Sequence, residues 1–416
     1  MSAVPELGDE PAPSPAPAQP VRGIVLSGGG ARGAYEAGVL DYLFRELPRP
    51  LVERSRVRVL CGTSVGAVHA CYLAATAHVP DHDAARLTQM WRSLELDDML
   101  RLKPLDLLRL PVDAVGIATG ASLPPAVLVN PDALRNLVVR HTPWEHITEN
   151  LARGLVDAVT VTATHIASGK TINFVQHKDG QVPPWTRDRR VVARAAALRP
   201  VHALASAAIP FLFPPVRIDE GYYCDGGLRQ NTPLSPALRL GADRVLVVGL
   251  RHEAENTSGK GFGPGQVEHP PGPFMLLGKL LDALLLDHID YDLARLEGFN
   301  TLLRDGQLAF GEGFGHEINA IAKRVRGVSY REVGTTVIRP SRDIGAMATE
   351  FVFQHRSRLK ILARFVLRKI ADADSLADSD FLSYLLFDGR FADSLIELGR
   401  ADADASRERL IEFLRD

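Results

Sequence analysis

Apolar positions in this chain alternate between short unbroken runs and runs at helical spacing. Gly23-Ile24-Val25-Leu26, Val57-Arg58-Val59-Leu60-Cys61 and Arg244-Val245-Leu246-Val247-Val248-Gly249-Leu250 are brief and apolar, as strands buried on both faces are. Between the first two, Tyr35, Val39, Leu40, Leu43, Phe44 and Leu47 repeat on one helical face, and Pro48 ends the helix. After the second strand, the small apolar residues Ala67–Ala75 predict a helix that runs to about residue 77. Strand, helix, strand, helix implies a parallel sheet covered by helices. Further along, Ala158–Thr164 and Thr171–Val175 predict strands joined as a hairpin through Ser168-Gly169-Lys170. Pro131–Val139 and Pro200–Ile209 predict helices, Val216–Ile218 and Tyr222–Cys224 short strands about a turn, and Tyr330–Ile338 a last strand.

The same pattern divides the chain. Residues 1–20 alternate proline and alanine and predict a disordered tail. Residues 21–250 hold the strand-and-helix alternation. Residues 251–273, rich in glycine, proline and polar residues, predict a linker or mobile loop, and residues 274–416 a mainly helical region. Within the last, Phe274–Leu286 is apolar but too short to span a bilayer, and reads as a packing or dimer face ahead of a membrane-contacting one. Ser379 and Ser406 are expected N-caps.

Composition narrows the function classes. Hydrophobic residues make up 46% and charged residues 24%, as in ordinary globular proteins, and a net charge of −2 argues against nucleic acid as partner. Cys61, Cys71 and Cys224 all lie in apolar segments and predict buried, reduced thiols. No apolar leader and no spanning run is visible, so the expectation is a cytoplasmic protein, with contact at the periphery of a membrane and homo-oligomer formation left open.

Two glycine-framed motifs follow the first two strands. Gly62-Thr63-Ser64-Val65-Gly66 sits between strand and helix, the context of a nucleophile elbow. Gly62 and Gly66 leave room for a strained turn that carries Ser64 outward, to solvent, above the helix N-terminus. The earlier run Gly28-Gly29-Gly30-Ala31-Arg32-Gly33 fits a dinucleotide-binding G-x-G-x-x-G. That reading needs an acid at the end of the second strand, where this chain has Cys61-Gly62. The same glycines can instead offer unblocked backbone amides to an oxyanion, with Arg32 adding positive charge.

The serine needs a base. His69 lies in the elbow helix and points along it, and His165 and His202 stand near element ends with no other mark of catalysis. Asp225, in Tyr222-Tyr223-Cys224-Asp225-Gly226-Gly227, is the stronger candidate, because an apolar neighbourhood raises a carboxylate's affinity for protons. No H-e-x-x-H pattern or ligand-spaced cysteine cluster calls for a metal, and no cofactor is expected.

Taken together, the glycine run with Arg32, the G-x-S-x-G around Ser64 and the Asp225-Gly226-Gly227 motif, each after a strand and in this order, resemble the patatin-like phospholipase family. Ala205-Ser206-Ala207-Ala208-Ile209-Pro210 and Phe213-Pro214-Pro215 match further, and the resemblance spans roughly Gly23 to Leu250. It implies a three-layer α/β fold with a mostly parallel sheet over residues 21–250, followed by the helical C-terminal extension. It also implies a Ser–Asp dyad without histidine, acting on fatty-acyl esters of phospholipids, lysophospholipids or glycerides. Carried over, Ser64 is the nucleophile and Asp225 the base. Gly28, Gly29, Gly30 and Arg32 form or support the oxyanion hole, and Gly33, Gly62, Gly66, Gly226 and Gly227 support the motifs. The leucine-rich stretch from Asp81 to about Pro125 is then either a lid and acyl-chain wall or a packed connecting subdomain. Two other readings stay open: an acyltransferase using the same acyl-serine, and a lipid-binding module without catalysis.

Overall fold

The structure, a computed structural model, describes residues 19–99, 130–186, 188–210, 212–252, 289–326, 329–355 and 382–415. The strands are β1 Arg22–Leu26, β2 Val57–Thr63, β3 Ala158–His165, β4 Lys170–His177, β5 Val191–Ala195, β6 Val216–Ile218, β7 Gly221–Asp225, β8 Arg244–Val248 and β9 Gly334–Ile338. The helices used below are α1 Gly33–Arg45, α2 Val65–Ala75, α3 Ala84–Arg92, α4 Pro200–Ser206, α5 Leu234–Arg239, α6 Ile289–Phe310, α7 Gly313–Arg326, α8 Gly389–Ala405 and α9 Arg407–Leu414.

Among the described residues, one sheet holds all nine strands, in the order β5-β4-β3-β2-β1-β8-β9, with β7 pairing β3 and β6. Its centre is parallel: β1 lies between β2 and β8, β2 beside β3, and β8 beside β9. The hairpin foreseen around Gly169 is the antiparallel β3–β4 pair, and β7 also runs antiparallel to β3. β5, not foreseen from the sequence, is a short, largely exposed edge strand of five residues.

Burial on both faces explains the unbroken apolar strands. Ile24, Leu26, Leu60, Leu246 and Val248 face a core shared with α1, α2, α3 and α8. Val25, Val59, Cys61, Val245 and Val247 face a second core shared with α5 and α6. The result is a mixed α/β protein with a mostly parallel sheet between two helical layers. The three cysteines are buried and unpaired, as expected.

Residues C-terminal to 250 contribute to this same architecture. β9 extends the sheet in register with β8. α8 crosses α1 so closely that a Cβ on Gly38 would strike the Ile396 carbonyl, and one on Gly399 the Tyr35 carbonyl. Tyr35 donates to Asp402 (3.0 Å), and Arg400 holds both Asp41 and Glu46. Arg22, 1% exposed in β1, donates to the Phe413 carbonyl at the end of α9. Ser406 occupies the position before α9, but its hydroxyl accepts from Arg409 rather than capping the helix. Nearly all of the expected tail and of the linker at 251–273, the apolar run Phe274–Leu286, Ser379 and most of the leucine-rich stretch lie outside the described residues; of that stretch, the described part ends in a short helix at Leu96–Met99. Among the described residues no helix is long and apolar enough to cross a membrane.

Candidate active site

Strand β3 brings the two halves of the site together. On one side, Thr162 pairs with Thr63, the last residue of β2, so the chain turns at Ser64 beside the C-terminal part of β3. On that same side, just beyond the end of β2, Ala163 pairs with Asp225, the last residue of β7, while β4 takes the opposite edge of β3. Ser64 and Asp225, 161 positions apart in sequence, are therefore brought together along one edge of β3, at Thr162-Ala163.

The turn at Ser64 is strained, with φ 55° and ψ −125°, a conformation costly for a residue with a Cβ. Gly62 and Gly66 make it possible: a Cβ on Gly62 would enter the Gly66 carbonyl, and one on Gly66 the Leu26 carbonyl. Against expectation, Ser64 is not open to solvent; it is 2% exposed. Its amide donates to the Ser206 hydroxyl at the end of α4 (2.8 Å), and that hydroxyl donates to the Thr162 carbonyl (2.5 Å). Ser206 belongs to a stretch that stood out in the sequence, yet no pattern there pointed to this contact.

Asp225 is fully buried. Its Oδ1 accepts the Gly227 amide (2.7 Å), and its backbone is held by Ala208 and Thr164. Oδ2 has no partner in full hydrogen-bond geometry. The Ser64 hydroxyl nevertheless stands close enough to favour the charged carboxylate, an approach short of a formed bond. Burial is the dominant influence and pushes the Asp225 carboxyl up to about 7, with the nearby Ser64 hydroxyl and the bond from Gly227 pulling the other way. Gly226 is required by packing: a Cβ there would meet the Thr162 carbonyl and the Thr63 methyl.

The glycine loop runs past Ser64. A Cβ on Gly28 would lie 2.9 Å from the Ser64 Cβ and inside the Asn231 side-chain oxygen. Asn231 clips Gly28 on both sides, its carbonyl accepting the Gly28 amide (3.3 Å) and its side chain donating to the Gly28 carbonyl (3.0 Å). Ser27 is tied to Thr232 (2.7 Å) and Val248 (2.9 Å). Beyond it, Gly30 has φ +57° and begins a single 3-10 turn, so the amides of Gly29 and Gly30 find no acceptor among the described residues. Arg32 is buried and turned to the C-terminal segment, donating to the Ser383 hydroxyl (2.7 Å) with its guanidinium 4.2 Å from the Tyr384 ring centre. Gly33 leaves space for Val65 and Trp91.

Of the rejected histidines, His69 is wholly buried in a second network. Trp91 Nε1 donates to His69 Nε2 (3.0 Å), so the imidazole proton sits on Nδ1 and is donated to Glu36 (2.9 Å). The other oxygen of Glu36 accepts the Ser27 amide (2.8 Å). Burial pushes the Glu36 carboxyl up, and the bonds from His69 and Ser27 act against it. His202 caps its own helix through the Arg199 amide (3.0 Å), and His165 bonds Ser168 (2.8 Å). Glu36 and Asn231 are site-shaping residues that the sequence reading missed. Neither carries a local signal, since their partners lie 9 to 203 residues away.

A covered, mostly parallel sheet with a strained serine at a strand-to-helix turn has the geometry of a nucleophile elbow. Residues 24–238 match the family Patatin-like phospholipase, and the chain belongs to that family, one of lipid-degrading hydrolases. A relative from Pseudomonas aeruginosa described as a cGAMP-activated phospholipase is 30% identical over 210 residues, covering 50% of this chain and 53% of that protein. The chain thus spans about half the length of the curated relative it matches. Among solved structures, VipD from Legionella pneumophila is similar at 13% identity with a TM-score of 0.31, over 78% of this chain and 62% of VipD.

Proposed function

We propose that this protein is a serine hydrolase of lipid acyl esters, with Ser64 as nucleophile and Asp225 as base. The observation that carries the reading is the state of Asp225. Its carboxyl is buried, pushed up to about 7, and pinned through Oδ1, while Oδ2 is left without a partner and the Ser64 hydroxyl is near enough to favour the charged form. A carboxylate in that condition accepts a proton near neutral pH far better than a solvated one.

In the first step Asp225 takes the Ser64 proton as Oγ attacks the ester carbonyl. The Gly29 and Gly30 amides are the donors for the tetrahedral oxyanion, Gly28 and Arg32 holding their loop in place. The proton passes from Asp225 to the departing alcohol, leaving an acyl-serine. Water, deprotonated by Asp225, then releases the fatty acid and restores Ser64. Family membership and the phospholipase named among its relatives support lipid esters as the substrate class.

A panel of phospholipid, lysophospholipid and glyceride esters, assayed with wild type, Ser64→Ala and Asp225→Ala, tests the reading. Fatty acid release that disappears in both variants is the expected result. Wild-type release by purified Ser64→Ala would overturn it. Labelling by a fluorophosphonate, absent in Ser64→Ala, is the parallel readout.

A further inference from the structure

The second core, on the face of the sheet opposite the nucleophile's helix α2, contains a cavity of about 440 Å³ between α5, α6 and the chain entering β9. That is within the size range of sites for small organic ligands. Its floor is apolar: Leu234, Leu296 and Val333 are buried side chains that line it, and the Phe299 ring, stacked on Tyr330 at 4.7 Å, forms one wall.

The charged lining is mostly cationic, with Arg239, Arg295, Lys323 and Arg331 set against a single acid, Asp292, among the described residues. Two of the cations are occupied. Arg239 donates to Ser235 (3.3 Å) and to the Trp185 carbonyl. Arg331 donates to the Leu238 (2.7 Å) and Ala242 (2.9 Å) carbonyls and pairs with Asp243 at 3.1 Å. Among the described residues the other two have no anionic partner. Arg295 lies 5.9 Å from the Phe299 ring centre, and Lys323 makes no hydrogen bond or ion pair among the described residues.

Apolar walls below two uncommitted cations complement a molecule with an apolar body and an anionic head. We propose that this cavity is a second ligand site, distinct from the Ser64 centre, that binds a long-chain carboxylate: the alkyl chain lies on Leu234, Leu296 and Val333, and the carboxylate is held by Arg295 and Lys323. A free fatty acid is also what the proposed hydrolysis releases; the natural source of the ligand rests on that reading, whereas the binding does not.

The test is a titration of the full chain with cis-parinaric acid, a fluorescent long-chain carboxylate, in a Ser64→Ala background so that turnover plays no part. The expected result is saturable binding weakened at least roughly tenfold by the pair Arg295→Glu and Lys323→Glu, the equivalent of about 1.4 kcal/mol. Palmitate should compete, and hexadecanol, which has the chain without the charge, should compete much less. Should the reversed pair unfold, as judged by circular dichroism, Arg295→Gln with Lys323→Gln replaces it. No binding, equal affinity in the folded variants, or equal competition by hexadecanol would each overturn the proposal. Displacement by phosphatidylglycerol vesicles but not by palmitate would overturn it too, pointing to a lipid headgroup instead. Loss of ester hydrolysis in wild type would sink the catalytic reading and leave this titration unaffected.

Discussion

The Ser64 amide donates to the Ser206 hydroxyl, which passes its own hydrogen bond to the Thr162 carbonyl, so a side chain 142 residues away closes the strained nucleophile turn. Removing that hydroxyl leaves a buried amide and a buried carbonyl unpaired. Ser206→Ala is therefore expected to cost about 1–3 kcal/mol of unfolding free energy and to lower kcat/KM. Denaturant titration and ester kinetics on the same preparation check both effects.

Asp225 makes the activity and the stability run in opposite directions with pH. Catalysis needs the ionised carboxylate, so kcat/KM should rise through about pH 7 and level off above it. In stability, burial raises the folded pKa from 3.8 to about 7, so between these values the folded chain keeps a proton that the unfolded chain has released. This group's contribution thus declines as pH climbs from about 4 to about 7. Asp225→Asn should abolish ester cleavage yet melt no lower than wild type at pH 8, with the difference shrinking at pH 5. A pH-independent difference in Tm would contradict the assignment.

Glu36 spans the glycine loop and the nucleophile helix, one oxygen on the Ser27 amide and the other on His69. Glu36→Gln can still accept from Ser27, but its NH2 then meets the protonated Nδ1 of His69, because Trp91 occupies Nε2. The expected outcome is a fall in kcat of roughly tenfold, about 1.4 kcal/mol in the barrier, with KM nearly unchanged. Steady-state kinetics with a soluble ester separates the two constants; an unaltered kcat would show that the loop holds its position without Glu36.

Gly399 lets α8 lie against the backbone of α1 at Tyr35. Gly399→Val forces those helices apart and overpacks the core beneath them, a cost of about 1–3 kcal/mol or more. A lowered Tm is the expected reading. Because Arg32 of the glycine loop is fastened to Ser383 and Tyr384 ahead of α8, the variant should also lose ester activity before it loses its secondary structure.

The local half of this protein was legible from residue order alone. Unbroken apolar runs marked β1, β2 and β8 because both faces of those strands are covered, and glycines two residues either side of Ser64 marked a turn that only small residues permit. The short distance between strand, turn and helix carries that information within a few residues. Motif order further pointed to Ser64 and Asp225, and to a family that residues 24–238 match. What the tertiary structure decided is everything that depends on pairing across the sheet. β3 sets Thr63 and Asp225 one after the other along a single edge, Asn231 and Glu36 brace the glycine loop, β9 extends the sheet at β8, and α8 and α9 pack on the N-terminal helix and strand. Arg32 illustrates the difference. Its place beside a glycine loop suggested free positive charge at the site, but a guanidinium goes to whichever acceptor and ring the fold brings near, and here those belong to residues 383 and 384.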